Sequence, residues 1–314
     1  MNGGKYQGVI LAAGHGSRMG PFGAEVPKPV APICNRPLMA YQLEYMQKAG
    51  INDVIVVIGH LGNRITQVLG DGSDFGVRIR YVEQKERLGL AHAVGQLEPH
   101  VDRAFVLMLG DIFFEMPGLD PMLTKFEETE AAAVLAVKEE SDPEAIKRNF
   151  AVLQNANGAV RRVIEKPRTV PNNLKGCGIY LFDDRIFEAV RRTPRTAMRD
   201  EYELTDSIQI LVDYEYPVHV SQVVDWDMNL TYIGDLIRCC LHELSKRGAV
   251  QLIGERSDVH AEADLIDTVI GNDVRIQAPV KLERCVVLDR AVMSEPGNYT
   301  DMVVTPDGIL AGDG

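Results

Sequence analysis

Gly14, Gly16, Ser17 and Arg18 follow the apolar run Val9-Ile10-Leu11-Ala12-Ala13, and Lys28 stands ten residues beyond the arginine in Pro27-Lys28-Pro29. These residue types in this order suit a chain of phosphates. Glycines free backbone N–H groups to point at an anion, because no side chain keeps the ligand away. A helix beginning nearby would add anion affinity at its N-terminal end. Arg18 offers a planar fork for phosphate oxygens and Lys28 a compact point charge. Taken alone, a glycine turn after a strand is often only a turn. Two other phosphate loops are excluded by spacing. Met19 occupies the last glycine position of G-x-G-x-x-G, and no G-x-x-x-x-G-K-[ST] occurs.

Three further groupings could carry chemistry. Asp111 follows an apolar run in Leu109-Gly110-Asp111, a suitable place for a hard cation such as magnesium, although a turn or helix-cap aspartate looks the same. Gln84 precedes Leu88-Gly89-Leu90-Ala91-His92. Its amide can offer a donor and an acceptor to a nucleobase edge, and Gly89 would let a base approach the backbone. His92 reads as a residue that packs on its helix. Glu165-Lys166-Pro167 is either a solvated strand end or a division of labour, with Glu165 accepting from sugar hydroxyls and Lys166 meeting a monophosphate. In Trp226-Asp227-Met228-Asn229, either Asn229 or Asp227 could complete a metal site, asparagine through its carbonyl oxygen.

The elements that must position these residues alternate. Strands are expected at 8–12, 53–58, 77–82, 104–109, 131–137 and 178–182, with a hairpin of 151–153 and 160–164 around Asn157-Gly158. Helices are expected at 38–49, 64–69, 91–97, 143–147, 204–212 and 232–244. Strands spaced by helices imply an α/β fold with a mostly parallel sheet covered on both faces, whose ligands sit at the carboxyl ends of the strands. The glycine turn and Asp111 both fall at such ends.

From Ile270 the period changes. Ile270, Ile276, Leu282 and Leu288 recur every six residues, as do Val274, Val280, Val286 and Val292. Two interleaved six-residue periods predict a short left-handed hexapeptide β-helix stub, too short for an acyltransferase site. The expected division is a main domain over 1–248 and the repeat region over 249–314.

The 314 residues carry 46% hydrophobic content and a formal net charge of −12. That charge disfavours nucleic acid as a partner and requires a polyphosphate site to concentrate its cations locally and recruit a divalent metal. No apolar run is long enough to cross a bilayer. Five cysteines without a C-x-x-C pair predict neither a disulfide framework nor a zinc site, and hence a cytoplasmic setting.

Together these motifs resemble the sugar-1-phosphate nucleotidylyltransferases, notably glucose-1-phosphate thymidylyltransferases and UDP-glucose pyrophosphorylases. The likeness covers residues 6–244, and its most specific part is 11–29. Glu203-Leu204-Thr205-Asp206 also falls in the family's order. The resemblance implies a Rossmann-like, GT-A-like catalytic domain. Leu11, Ala12, Ala13, Gly14, Gly16 and Ser17 would cradle the nucleotide, with Arg18 on the departing pyrophosphate and Lys28 near the attacked α-phosphate. Gln84 and Gly89 would read the base, with UTP or dTTP favoured. Asp111 would hold Mg2+ together with Asn229, which stands where thymidylyltransferases carry a second aspartate; Asp227 is the substitute. Glu165 and Gly178 would face the sugar and Lys166 its phosphate. Ala151 stands where the sugar-binding loop often has glycine. A homo-oligomer is expected. The alternatives are a transferase acting on a non-sugar phosphate and a non-catalytic, nucleotide-sugar-binding regulatory homologue.

Overall fold

The computed structural model describes residues 4–14, 16–196 and 200–312. They form two compact units. One comprises Met1–Gly14, Tyr41–Gly110 and Phe114–Asp227; the other comprises His15–Ala40, Asp111–Phe113 and Met228–Gly314.

In the first unit the apolar runs become parallel strands in the order Arg78–Glu83, Asp53–Ile58, Gln7–Ala12, Phe105–Leu109. Leu174–Phe182 runs antiparallel beside Phe105–Leu109, and Ala133–Glu139 antiparallel to it in turn. Val218–Ser221 closes that side in parallel, while the Phe150–Gln154/Val160–Glu165 hairpin joins through Lys175 and Ala151. The expected mostly parallel α/β sheet is therefore present. Because side chains alternate along a strand, Val9, Leu11, Ile55, Val57, Phe105 and Leu107 share one buried cluster. Helices Leu90–Gly95, Arg185–Arg192 and Leu204–Asp213 contribute Val94, Phe187 and Ile208 to it. Burying each such side chain is worth roughly 2 kcal/mol. Helix Arg185–Arg192 was not expected from the sequence. Its three arginines hide the buried Ile186, Phe187 and Ala189 that make it amphipathic.

In the second unit the C-terminal strands stack as three parallel ladders, the arrangement of a short β-helix. Each coil returns after 17 residues: Arg256 lies under Asp273, and Arg284 under Asp301. The six-residue spacing is followed by Ile270, Ile276 and Leu282, and by Val274, Val280 and Val286, all buried. It then slips. Val292 is 53% exposed and Met293 takes the inward place, while Val287 rather than Leu288 joins the core. A coil one residue short of three sixes shifts the inward set by one position at each return. The same interval governs the corners. Arg256, Asp273 and Arg290 have φ of 56, 57 and 64°, and Asp267, Arg284 and Asp301 have 48, 52 and 55°. Arg256 grips Asp273 with two bonds of 2.7 Å, and Arg284 grips Asp301 at 2.8 and 2.7 Å.

Candidate active site

In the unit that carries the β-helix, the glycine turn leads into a short 3-10 turn, Ser17–Met19, and a short helix, Gly20–Glu25. Gly16 has φ 65°, a conformation that side chains resist. The helix can lie against it only because residue 23 is also glycine: a Cβ there would come within 2.3 Å of the Gly16 carbonyl. The stem of Lys28 crosses the same turn, with its Cγ 3.5 Å from where a Gly16 Cβ would stand. Lys28 Nζ donates to Asp111 Oδ2 at 3.3 Å. The fold thus brings together Gly16, Lys28 and Asp111, the last two 83 residues apart. Ser17 and Arg18 are exposed on the turn.

The Lys28–Asp111 pair is open to water on its carboxylate side, Asp111 being 39% exposed and Lys28 14%. Such a pair is worth about 1 kcal/mol or less, so an arriving phosphate can take the lysine cheaply. The Leu230 amide donates to the Asp111 carbonyl at 2.9 Å, which holds the preceding residue, Asn229, beside Asp111. A carboxylate with an amide oxygen is a donor set that fits magnesium. No group of three or more His, Cys, Asp or Glu that could hold a metal ion exists among the described residues. An ion held here would complete its shell with waters and substrate phosphates, as magnesium commonly does.

Asp227 is placed otherwise. In the sheet unit its carboxylate receives Lys175 Nζ at 2.8 and 2.9 Å, and Lys138 Nζ lies at 3.1 Å. Glu140 completes a quartet, 3.0 Å from Lys138 and 3.6 Å from Lys175. Burial alone would lower Lys138, but Asp227 and Glu140 outweigh it and hold its pKa above the usual lysine range. Burial alone would likewise raise Glu140; the Asp142 amide and the two lysines reverse this. Burial, then the Asp227 charge, pushes the neighbouring Cys177 thiol up. Both oxygens of Asp227 are committed to ammonium groups, so a cation there would have to displace them. Lys138 and Glu140 are two residues apart, but Lys175 and Asp227 lie far from them in sequence, so no local pattern announces the quartet.

The same unit holds the base- and sugar-reading candidates. Leu11, Ala12 and Ala13 are buried where Gln7–Ala12 ends, and Gly14 is exposed. Gln84 is 7% exposed, its amide nitrogen 3.4 Å from His92 Nδ1. Gly89 has φ 108°, and a Cβ would come within 2.4 Å of the Tyr202 carbonyl. Tyr202, rather than a base, thus fills the space that glycine leaves. The Tyr202 amide donates to Leu88 O, and the Ala91 amide to Tyr202 O. Glu165 accepts from the Thr205 hydroxyl at 3.3 Å and lies 3.7 Å from Lys166 Nζ. Lys166 is exposed and has φ 40°, a backbone state that costs a non-glycine residue energy. Gly178, φ 74°, sits where the pairing of Leu174–Phe182 with Ala133–Glu139 shifts register. Ala151 is fully buried between Ile164 and Lys175. All five cysteines are buried and free of disulfides. No helix among the described residues is long and apolar enough to cross a membrane.

Residues 7–227 match the nucleotidyl transferase family. Agl11, the low-salt glycan biosynthesis nucleotidyltransferase of Haloferax volcanii, is 36% identical over 223 residues, covering 70% of this chain and 61% of that protein, less than two thirds of its length. AglF of the same organism, a UTP–glucose-1-phosphate uridylyltransferase, is 32% identical over 229 residues, covering 73% of this chain and 93% of AglF. In fold, the chain is similar to a UDP-glucose pyrophosphorylase complexed with UDP-glucose, with a TM-score of 0.67 at 21% identity over 77% of this chain and 99% of that one. The chain belongs to the nucleotidyl transferase family.

Proposed function

We propose that this chain transfers a uridylyl or thymidylyl group from UTP or dTTP to a glucose-like sugar-1-phosphate, releasing pyrophosphate and forming a nucleotide-sugar. The observation that carries the proposal is an ammonium whose stem crosses the glycine turn, 3.3 Å from the carboxylate of Asp111. That arrangement can neutralise a triphosphate and hold a cation. A phosphate monoester is already ionised at neutral pH, so the attacking oxygen needs no general base. The difficulty is repulsion between two anions, and positioning with charge neutralisation is what overcomes it.

Arg18 would take the pyrophosphate that leaves, and Lys28 would move from Asp111 onto the α-phosphate. Lys166 would hold the sugar's phosphate and Glu165 its hydroxyls. Asp111 and Asn229 would hold magnesium, which when bound supplies further charge neutralisation at the phosphates. Gln84 would read the base. A cytoplasmic, homo-oligomeric enzyme fits this role.

The test is a matrix of nucleoside triphosphates against sugar-1-phosphates, read by pyrophosphate release, with magnesium omitted as control. Magnesium-dependent release with UTP or dTTP and glucose-1-phosphate is expected. Release only with a non-sugar phosphate, or with no added metal after chelation, would overturn the assignment.

A further inference from the structure

His92 does not simply pack on its helix. Its Nδ1 lies 3.4 Å from the Gln84 amide nitrogen, and its Nε2 lies 3.3 Å from the Gln96 amide nitrogen. The ring stacks on Tyr202, centroids 6.5 Å apart and planes at 26°, which fixes its orientation. A neutral imidazole has one N–H and one bare nitrogen. It can accept from only one of the two amides, so the other must turn its oxygen to the ring. The chain Gln84–His92–Gln96 therefore has two states.

In one state Gln84 donates to Nδ1 and Nε2–H donates to the Gln96 oxygen. Gln84 then keeps its carbonyl oxygen and one N–H, an acceptor beside a donor. That pair complements the imide edge of a pyrimidine-2,4-dione, where an N–H stands beside a carbonyl. In the other state Nδ1–H donates to one lone pair of the Gln84 oxygen, and the amide is turned over, so its free acceptor and donor exchange places. The reversed edge complements cytosine, whose ring nitrogen accepts and whose exocyclic amine donates where uracil has an N–H and a carbonyl. Turning over Gln96 costs least, because it is half-buried at the end of its helix and water can serve its other atoms, whereas Gln84 is buried.

We propose that His92 is a positioning residue for base choice: with Gln96 it fixes the tautomer that makes Gln84 present an acceptor–donor edge, selecting uracil or thymine over cytosine. The inference rests on the pyrimidine-nucleotide reading of the site. It predicts that two variants at a residue that touches no substrate part ways, one keeping the parent's base choice and the other losing it. Gln96→Glu can only accept, so it enforces the Nε2–H tautomer. Gln96→Lys can only donate, so it enforces Nδ1–H. A cavity of about 270 Å³ bordered by His92, Gln96, Val190 and Tyr202 gives either side chain room.

The experiment has two arms on the full chain. Imidazole 15N chemical shifts, with His92 assigned by loss of its signals in His92→Phe, should show Nε2–H in the parent and in Gln96→Glu, and Nδ1–H in Gln96→Lys. The ratio of kcat/KM for UTP to that for CTP should hold in Gln96→Glu and fall about tenfold in Gln96→Lys and His92→Phe, the worth of one hydrogen bond. The KM for the sugar-1-phosphate should not move. Equal ratios in the two Gln96 variants, or an Nδ1–H parent, would overturn the inference while leaving the transferase reading intact. A parent that transfers no pyrimidine nucleotide would overturn that reading first, and the 15N arm would still report the tautomer.

Discussion

Two sets of charges in this molecule look alike on paper and are held in opposite ways. On the glycine turn, Lys28 meets Asp111 in an open pair, and Arg18 stands exposed. In the sheet unit, Lys138, Lys175, Glu140 and Asp227 satisfy one another, with Lys175 and Asp227 only 4% and 1% exposed. A loose pair is ready to trade its partner for a ligand. A buried quartet is charge-balanced and costly to open. The contrast separates cations that can work on substrate from cations that hold the sheet together, and it can be broken by substitution.

The largest effect is expected at Asp111. Asp111→Asn should lower kcat by about a thousandfold and shift the magnesium requirement upward, while melting like the parent. Loss of stability instead would place Asp111 among the architectural charges. Lys175→Met should do the reverse. It leaves the buried Asp227 with one ammonium partner and should cost about 3 kcal/mol in denaturant unfolding, with turnover per folded molecule largely kept. A smaller effect is expected at Lys166, exposed and in strained backbone. Lys166→Ala should raise the sugar-1-phosphate KM about tenfold with a lesser change in kcat.

The smallest effect belongs to the corners of the β-helix. The Arg256 and Arg284 guanidiniums hold the Asp273 and Asp301 carboxyls below the usual range. A depressed folded pKa adds stability above the unfolded value, about 3.9, and loses it as pH falls through the folded one. The double variant Asp273→Asn/Asp301→Asn should therefore melt slightly below the parent at neutral pH. That gap should close as the pH drops below about 4, and it should shrink in high salt.

What could be read beforehand follows the range of the interactions. Runs such as 54–58 and 105–109 announce buried strands because burial on both faces leaves no polar position to confuse the period. The Arg18-to-Lys28 interval was legible because both residues belong to one short stretch of chain, with only the helix Gly20–Glu25 between them. The β-helix was legible as a repeat, but its 17-residue coil was not, since the first turn imitates a strict period of six. Only the fold brings Lys175 and the Lys138–Glu140 pair to Asp227, so Asp227 offered itself as a metal ligand when its neighbours had already claimed it. Gly89 suggested an approaching base, and the chain at Tyr202 occupies that space instead.

Lys28 tests the account most directly, because its assigned work is to neutralise phosphate and its contact with Asp111 is weak. Turnover of Lys28→Ala, measured by pyrophosphate release at saturating UTP or dTTP and sugar-1-phosphate, should fall about a hundredfold with Tm unchanged. Near-parental turnover in a folded Lys28→Ala protein would contradict it.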